Sequence, residues 1–168
     1  MRGARRGDGG AADNFQRKRH GTMGAEATGG KQLPTIIMGV IGADCHAVGN
    51  KILERFFREN GFNVVNLGVM VTQDEYIDAA IEAGAEAILV SSLYGHGEID
   101  CQGLRDRCVE RGLADIVLYV GGNLVVGKTD PAVVEKKFLD MGFDRVFTPD
   151  SDLREEAQLL HQDIEARR

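Results

Sequence analysis

The sequence predicts an α/β fold, a parallel sheet of five strands with helices on both faces. Three observations predict it. From Pro34 onward, short apolar runs alternate with stretches of helical periodicity. The first run, Ile36 to Ile41, is apolar except for Gly39, the pattern of a strand covered on both faces. Four helical stretches run into a glycine, at Gly61, Gly84, Gly112 and Gly142, and glycine accepts the left-handed conformation that ends a helix.

The elements follow in order. After strand Ile36–Ile41, Lys51–Asn60 sets Ile52, Leu53, Phe56 and Phe57 in a helical stripe. Phe62–Leu67 is a second strand. Thr72 is placed as an N-cap, with Glu75 three residues on completing a capping box. Tyr76, Ile77, Ala80 and Ile81 form the buried face of the helix it opens. Ala87–Val90 is a third strand, stopping at Ser91-Ser92, and Glu98 to Arg111 reads as one helix. Ile116–Val120 is a fourth strand, ending in Gly121-Gly122. Asp130-Pro131 pairs an N-cap with proline at the first helical position and opens a helix to Met141. Asp144–Phe147 is a short fifth strand. Ser151 caps a last helix bearing Leu153, Ala157, Leu160 and Ile164.

Five such units imply a doubly wound, flavodoxin-like sheet with strand order 2-1-3-4-5. A ligand then binds beyond the carboxyl ends of the strands, at the switch between the first and third. The unusual loops, Gly42–Asn50, Ser91–Asp100 and Gly121–Lys128, follow strands one, three and four, which that order makes neighbours. They are expected to line one crevice.

Charge divides the chain. Net charge is −6, but residues 1–34 carry +4 and the remainder −10. Residues 1–33 are expected to be a disordered, basic, glycine-rich extension, and 34–168 one domain. Met23 is the expected natural start, with 1–22 an upstream extension. The acidic domain repels nucleic acid. No apolar run approaches the ~20 residues of a membrane span, and no segment has the order of a secretory signal. Cys45, Cys101 and Cys108 are odd in number and lack paired spacing, which favours reduced thiols and a cytoplasmic location.

The loop after the first strand carries His46 two residues beyond Asp44. A loop histidine near a helix start can simply be solvated. A metal-binding imidazole, however, usually donates its other N–H to a carboxylate, a role open to Asp44. Zinc fits poorly, because Cys45, His46, His96, Cys101 and Cys108 show no finger-type spacing. A flavodoxin phosphate loop needs Ser/Thr, and Ala43–Val48 has none. A phospho-accepting receiver domain wants an acid after strand three and Lys after strand five, where Ser91 and Thr148-Pro149 stand. Ser91 lacks a nucleophile-elbow setting. Ser91 and Ser92 can hydrogen-bond a ligand or merely end a strand. Gly121 and Gly122 allow close approach of a flat ligand or merely turn the chain.

Together the motifs resemble a known family. Asp44-Cys45-His46-Ala47-Val48-Gly49 fits the D-x-H-x-x-G signature of cobalamin-binding domains, which pair it with a Ser-x-Leu element (Ser91-Ser92-Leu93) and a Gly-Gly (Gly121-Gly122). The wording around Gly42, Asp44–Leu53, Ser91–Gly95, Gly97–Cys101 and Val120–Asn123 is similar to the small subunit of glutamate mutase, over about Thr35 to Phe147. His96 departs from it, standing where that family leads to Gln.

The resemblance implies adenosylcobalamin as cofactor, with its dimethylbenzimidazole displaced. His46 would be the axial ligand to cobalt, and Asp44 would hydrogen-bond His46. Contacts would come from Ala43, Asp44, Cys45, His46 and Ala47, from Gly49, from Ser91, Ser92 and Leu93, from Gly121 and Gly122, and from Asn123, Leu124, Val125, Val126 and Gly127. It also implies interconversion of L-glutamate and threo-3-methylaspartate by radical rearrangement, in a heterotetramer with a larger barrel-type catalytic (epsilon) subunit that holds the substrate. This chain alone would be inactive. The alternative is a non-catalytic corrinoid carrier or sensor, such as one serving a methyltransferase.

Overall fold

The computed structural model describes residues 32–168. The expectations for Met23 and for residues 1–31 fall outside them. Gln32 and Leu33 are exposed and without secondary structure. The elements run β1 (Thr35–Val40), α1 (Ala47–Glu59), β2 (Asn63–Asn66), α2 (Gln73–Ala83), β3 (Ala87–Ser92), α3 (Gly97–Cys101), α4 (Leu104–Glu110), β4 (Val117–Gly122), α5 (Pro131–Asp140), β5 (Arg145–Phe147) and α6 (Leu153–Glu165). The sheet has the expected order, β2-β1-β3-β4-β5, with all strands parallel.

Alternation along the strands divides the core in two. Ile37, Ile88, Val90, Leu118 and Val120 point to one face and join Tyr76, Ile77, Leu104 and Phe138 from α2, α4 and α5. Ile36, Met38, Ala87, Leu89, Val117 and Tyr119 point to the other, against Phe57 of α1 and Ala157, Leu160 and Ile164 of α6. Each buried large aliphatic side chain contributes about 1.5–3 kcal/mol. This parity decides below which loop residues share a site.

Local signals acted largely as read. Thr72 Oγ1 accepts the Glu75 N–H at 3.3 Å, and Glu75 Oε2 accepts the Thr72 N–H at 2.7 Å. Asp130 accepts the Ala132 N–H at 2.9 Å ahead of Pro131.

Four readings are corrected. The helix expected over 98–111 is two, broken at Gly103, whose φ of +81° ends the run. α1 begins at Ala47 rather than Lys51, with His46 at its N-cap and the His46 N–H held by Asp44. Asp152, not Ser151, caps α6, accepting the Arg154 N–H; the Ser151 hydroxyl accepts the Thr148 N–H instead. Ile52 and Ile81 lie outside the buried stripes, at 60% and 44% exposed.

Candidate functional site

The site begins with a sharp turn at the end of β1. Gly42 has φ +73°, and a Cβ there would run into the Asp100 carboxylate. Tyr94 braces the turn from the β3 loop: its hydroxyl accepts the Ala43 N–H at 3.4 Å and donates to Asp100. That bond to Asp100, followed by burial, raises the Tyr94 pKa. Two backbone bonds bring in the loop after β2, Gly42 N–H to Val71 O and Met70 N–H to Asp44 O, both 3.0 Å.

Asp44 is 1% exposed. Its Oδ2 accepts the Leu93 N–H at 2.6 Å, and its Oδ1 accepts the His46 N–H at 3.0 Å and bonds the His46 ring at Nδ1. Burial pushes this carboxyl up, but the bonds from Leu93 and His46 outweigh it and the net shift is downward. An ionised carboxylate on Nδ1 keeps the proton there and leaves the lone pair on Nε2. The His46 side chain is 56% exposed, so the protein holds one edge of the imidazole and leaves the other for a ligand. Among the described residues no three His, Cys, Asp or Glu side chains gather around a metal position.

Behind His46 opens a cavity of about 370 Å³ on the α1/α6 face of the sheet. α1 presents Gly49, Asn50, Leu53 and Phe57 to it, the strands present Leu89, Ser91, Tyr119, Gly121 and Phe147, and α6 presents Leu153 and Glu156. His46, Gly49, Asn50, Leu53 and Phe57 share one helical face. The cavity exists because side chains on that sheet face shrink toward the C-terminal edge, from Leu89 to Ser91 and from Tyr119 to Gly121. Gly49 meets only Leu93, at 4.0 Å, so any larger residue there would enter the space.

The three anticipated loops do converge. Leu93 is bonded to Asp44, the Gly95 N–H reaches Asn123 O at 3.2 Å, and Ser92 pairs with Gly122. Of the anticipated contact residues, His46, Gly49, Ser91, Leu93, Gly121 and Gly122 line the cavity. Ala43, Cys45, Ala47, Asn123, Val126 and Gly127 are exposed beyond the strand ends, and Val125 is half-buried. Ser92 and Leu124 lie elsewhere. Strand parity turns Ser92 to the other face, fully buried against Gly97, where Leu124 also packs, so neither reaches the cavity. His96 is exposed beside Tyr94 and does not line it.

Sequence reading passed over Asn50 and Glu156. The signal for Glu156 was a carboxylate on the apolar stripe of α6. The signal for Asn50 was its position one helical turn after His46, hidden because α1 was expected to start later.

Comparison with known proteins decides among the ligands such a cavity accepts. Residues 34–157 match the B12 binding domain family. Over 133 residues the chain is 68% identical to the glutamate mutase sigma subunit of Escherichia coli O157:H7, a match spanning 79% of this chain and 89% of that one. The chain belongs to the glutamate mutase sigma subunit family. A second sigma subunit, from Yersinia enterocolitica, is 66% identical over 134 residues, 80% of this chain and 90% of that one. Among solved structures, a cobalamin-binding protein from Desulfitobacterium hafniense DCB-2 superposes with TM-score 0.63 at 20% identity, covering 79% of this chain and 59% of that one. At that identity it supports the fold alone.

As a sigma-family chain with a B12 binding domain, the protein can be tested against its cofactor. The fit is good on three counts: a histidine with Nε2 free, a cavity directly behind it, and Gly49, Ser91 and Gly121 leaving room where larger residues would close it.

Proposed function

We infer that this chain is the cobalamin-binding subunit of an adenosylcobalamin-dependent glutamate mutase, in which His46 would hold the cobalt of the cofactor. The observation that carries the reading is the Leu93–Asp44–His46 chain of hydrogen bonds at the cavity mouth. When bound, the cofactor supplies the carbon radical that starts rearrangement of L-glutamate to threo-3-methylaspartate. The residues of this chain do the holding. Asp44 fixes the imidazole's tautomer and angle. The cavity between α1 and α6 takes the displaced nucleotide tail, with Gly49, Ser91 and Gly121 at its wall. Ala43, Cys45, Ala47, Asn123 and Gly127, exposed beyond the strand ends, would meet the corrin.

Substrate would sit on a larger, barrel-type partner subunit, and the chain alone would not turn over; membership of the sigma subunit family supports this. The assembly is cytoplasmic and binds neither nucleic acid nor membrane. The acidic domain and the three free cysteines support this.

The test is electron paramagnetic resonance of the complex loaded with cobalamin in its cobalt(II) state, using ¹⁵N-labelled protein. Cobalt coupled to a protein nitrogen, and its loss in His46→Ala, is the expected result. Coupling unaffected by the label would refute the assignment.

A further inference from the structure

Two polar side chains in the cavity wall are left with hydrogen-bonding capacity unmet among the described residues. Glu156 is 8% exposed on the cavity-lining side of α6, and its carboxyl has neither a hydrogen bond nor an ion pair among the described residues. Asn50, 3% exposed, faces the same space from α1. Its Nδ2 donates to Asn66 Oδ1 at 2.7 Å and to Gly68 O at 3.2 Å. Both neighbours are acceptors, so the amide cannot be turned round, and Oδ1 is left buried and unsatisfied. Buried polar atoms without partners are rare because each forfeits its hydration. The unmet Asn50 oxygen and the unpaired Glu156 carboxyl, set in one slot by two helices, point to a ligand that supplies the missing bonds.

The rest of the wall narrows what that ligand is. It is mainly apolar, with Leu53, Phe57, Leu89, Tyr119 and Phe147 suited to a flat base. No lysine or arginine lines it. The other titratable groups facing it are His46 on α1 and Tyr119 on β4, and the Tyr119 hydroxyl is taken by Asp163 at 2.6 Å. Arg145 on β5 is committed to the same carboxylate at 2.7 Å. β1 and β3 add no titratable side chain. A sugar hydroxyl both donates and accepts, so the sugar of a nucleotide meets both orphan groups while its base fills the apolar part.

We propose that Glu156 and Asn50 are binding residues for the sugar of the cofactor's nucleotide tail, and that Glu156 sets the preference for tail-bearing over tailless corrinoids. The proposal rests on the cobalamin reading above. Burial, with the negative charge of Asp152 one turn earlier, pushes the Glu156 carboxyl up to about 7. Filling the slot strips the remaining solvent from it and favours the neutral form further. Tail binding therefore takes up a proton near neutral pH and weakens as pH rises.

The full chain is titrated by absorbance with aquocobalamin and with cobinamide, the corrinoid without the nucleotide tail. Both would engage His46, and the cost of displacing the cofactor's own base is common to wild type and variant, so the change in the ratio of the two affinities between them reports the tail. In the wild type this ratio is expected to fall roughly tenfold between pH 6 and 8.5. In Glu156→Gln it stays high and flat. In Glu156→Leu, with folding verified by circular dichroism, it drops roughly tenfold at pH 6, the worth of one buried hydrogen bond. An unchanged ratio in the Leu variant, or a pH-independent ratio in the wild type, overturns the assignment of Glu156 while leaving the cobalamin reading intact. Failure of the wild type to bind either corrinoid overturns both.

Discussion

Asp44→Asn is the most informative perturbation of the site. The carboxylate accepts three bonds, from the Leu93 N–H on Oδ2 and from the His46 N–H and ring on Oδ1. An asparagine has one acceptor oxygen and one donor nitrogen. Whichever way it turns, its NH₂ faces a donor, either Leu93 N–H or the His46 pair. One charge-assisted bond is lost, worth about 1.5–3 kcal/mol, and a buried donor is left unmet at a comparable cost. The combined loss is about 3–6 kcal/mol of stability. The lost carboxylate also removes the group that holds the proton on Nδ1, and removal of such a partner typically lowers metal affinity about 10–100-fold. Urea denaturation gives the first quantity; titration with cobinamide, which reports the histidine–cobalt bond without the tail, gives the second. A variant that loses stability and keeps cobinamide affinity would refute the claim that Asp44 orients His46, leaving it a brace between the β1 and β3 loops.

Three further outcomes follow from the geometry. Gly49→Leu places a side chain into the cavity from a helical position, so cobalamin loses its advantage over cobinamide while urea stability holds or rises by about 0.5–1 kcal/mol from improved helix propensity. Gly122→Ala, at φ +111° with its Cβ against the Ser92 carbonyl oxygen, costs about 2 kcal/mol or more in a thermal melt. Glu156 ionises near its ordinary 4.5 in the unfolded chain but only at about 7 in the fold. Its contribution is therefore fully present below pH 4.5 and is lost as pH rises through 7. The stability of Glu156→Gln should exceed that of the wild type by an amount growing to about 3 kcal/mol across that interval, read from denaturation curves at each pH.

The sequence alone determined the class, order and topology of this fold, because those depend on short-range rules. Continuous apolar runs make strands covered on both faces, Thr72 with Glu75 and Asp130 with Pro131 start helices, and glycines end them. It also determined that the Asp44-Cys45-His46 loop, Ser91-Ser92-Leu93 and Gly121-Gly122 belong to one site, since strand order brings neighbouring strand ends together. Which side chains face the cavity was decided by tertiary structure. Ser91 and Ser92 are indistinguishable in composition, and the pleat alone turns one to the slot and buries the other against Gly97. Ile52 and Ile81 carry the right spacing, but their helices meet the sheet through other faces. The Leu93–Asp44 bond spans 49 residues, and Asn50 and Glu156 line one slot from helices about 100 residues apart in the chain. No local pattern encodes such contacts: they arise only when α1 and α6 pack on the same face of the sheet and leave, above Ser91 and Gly121, a space the protein does not fill.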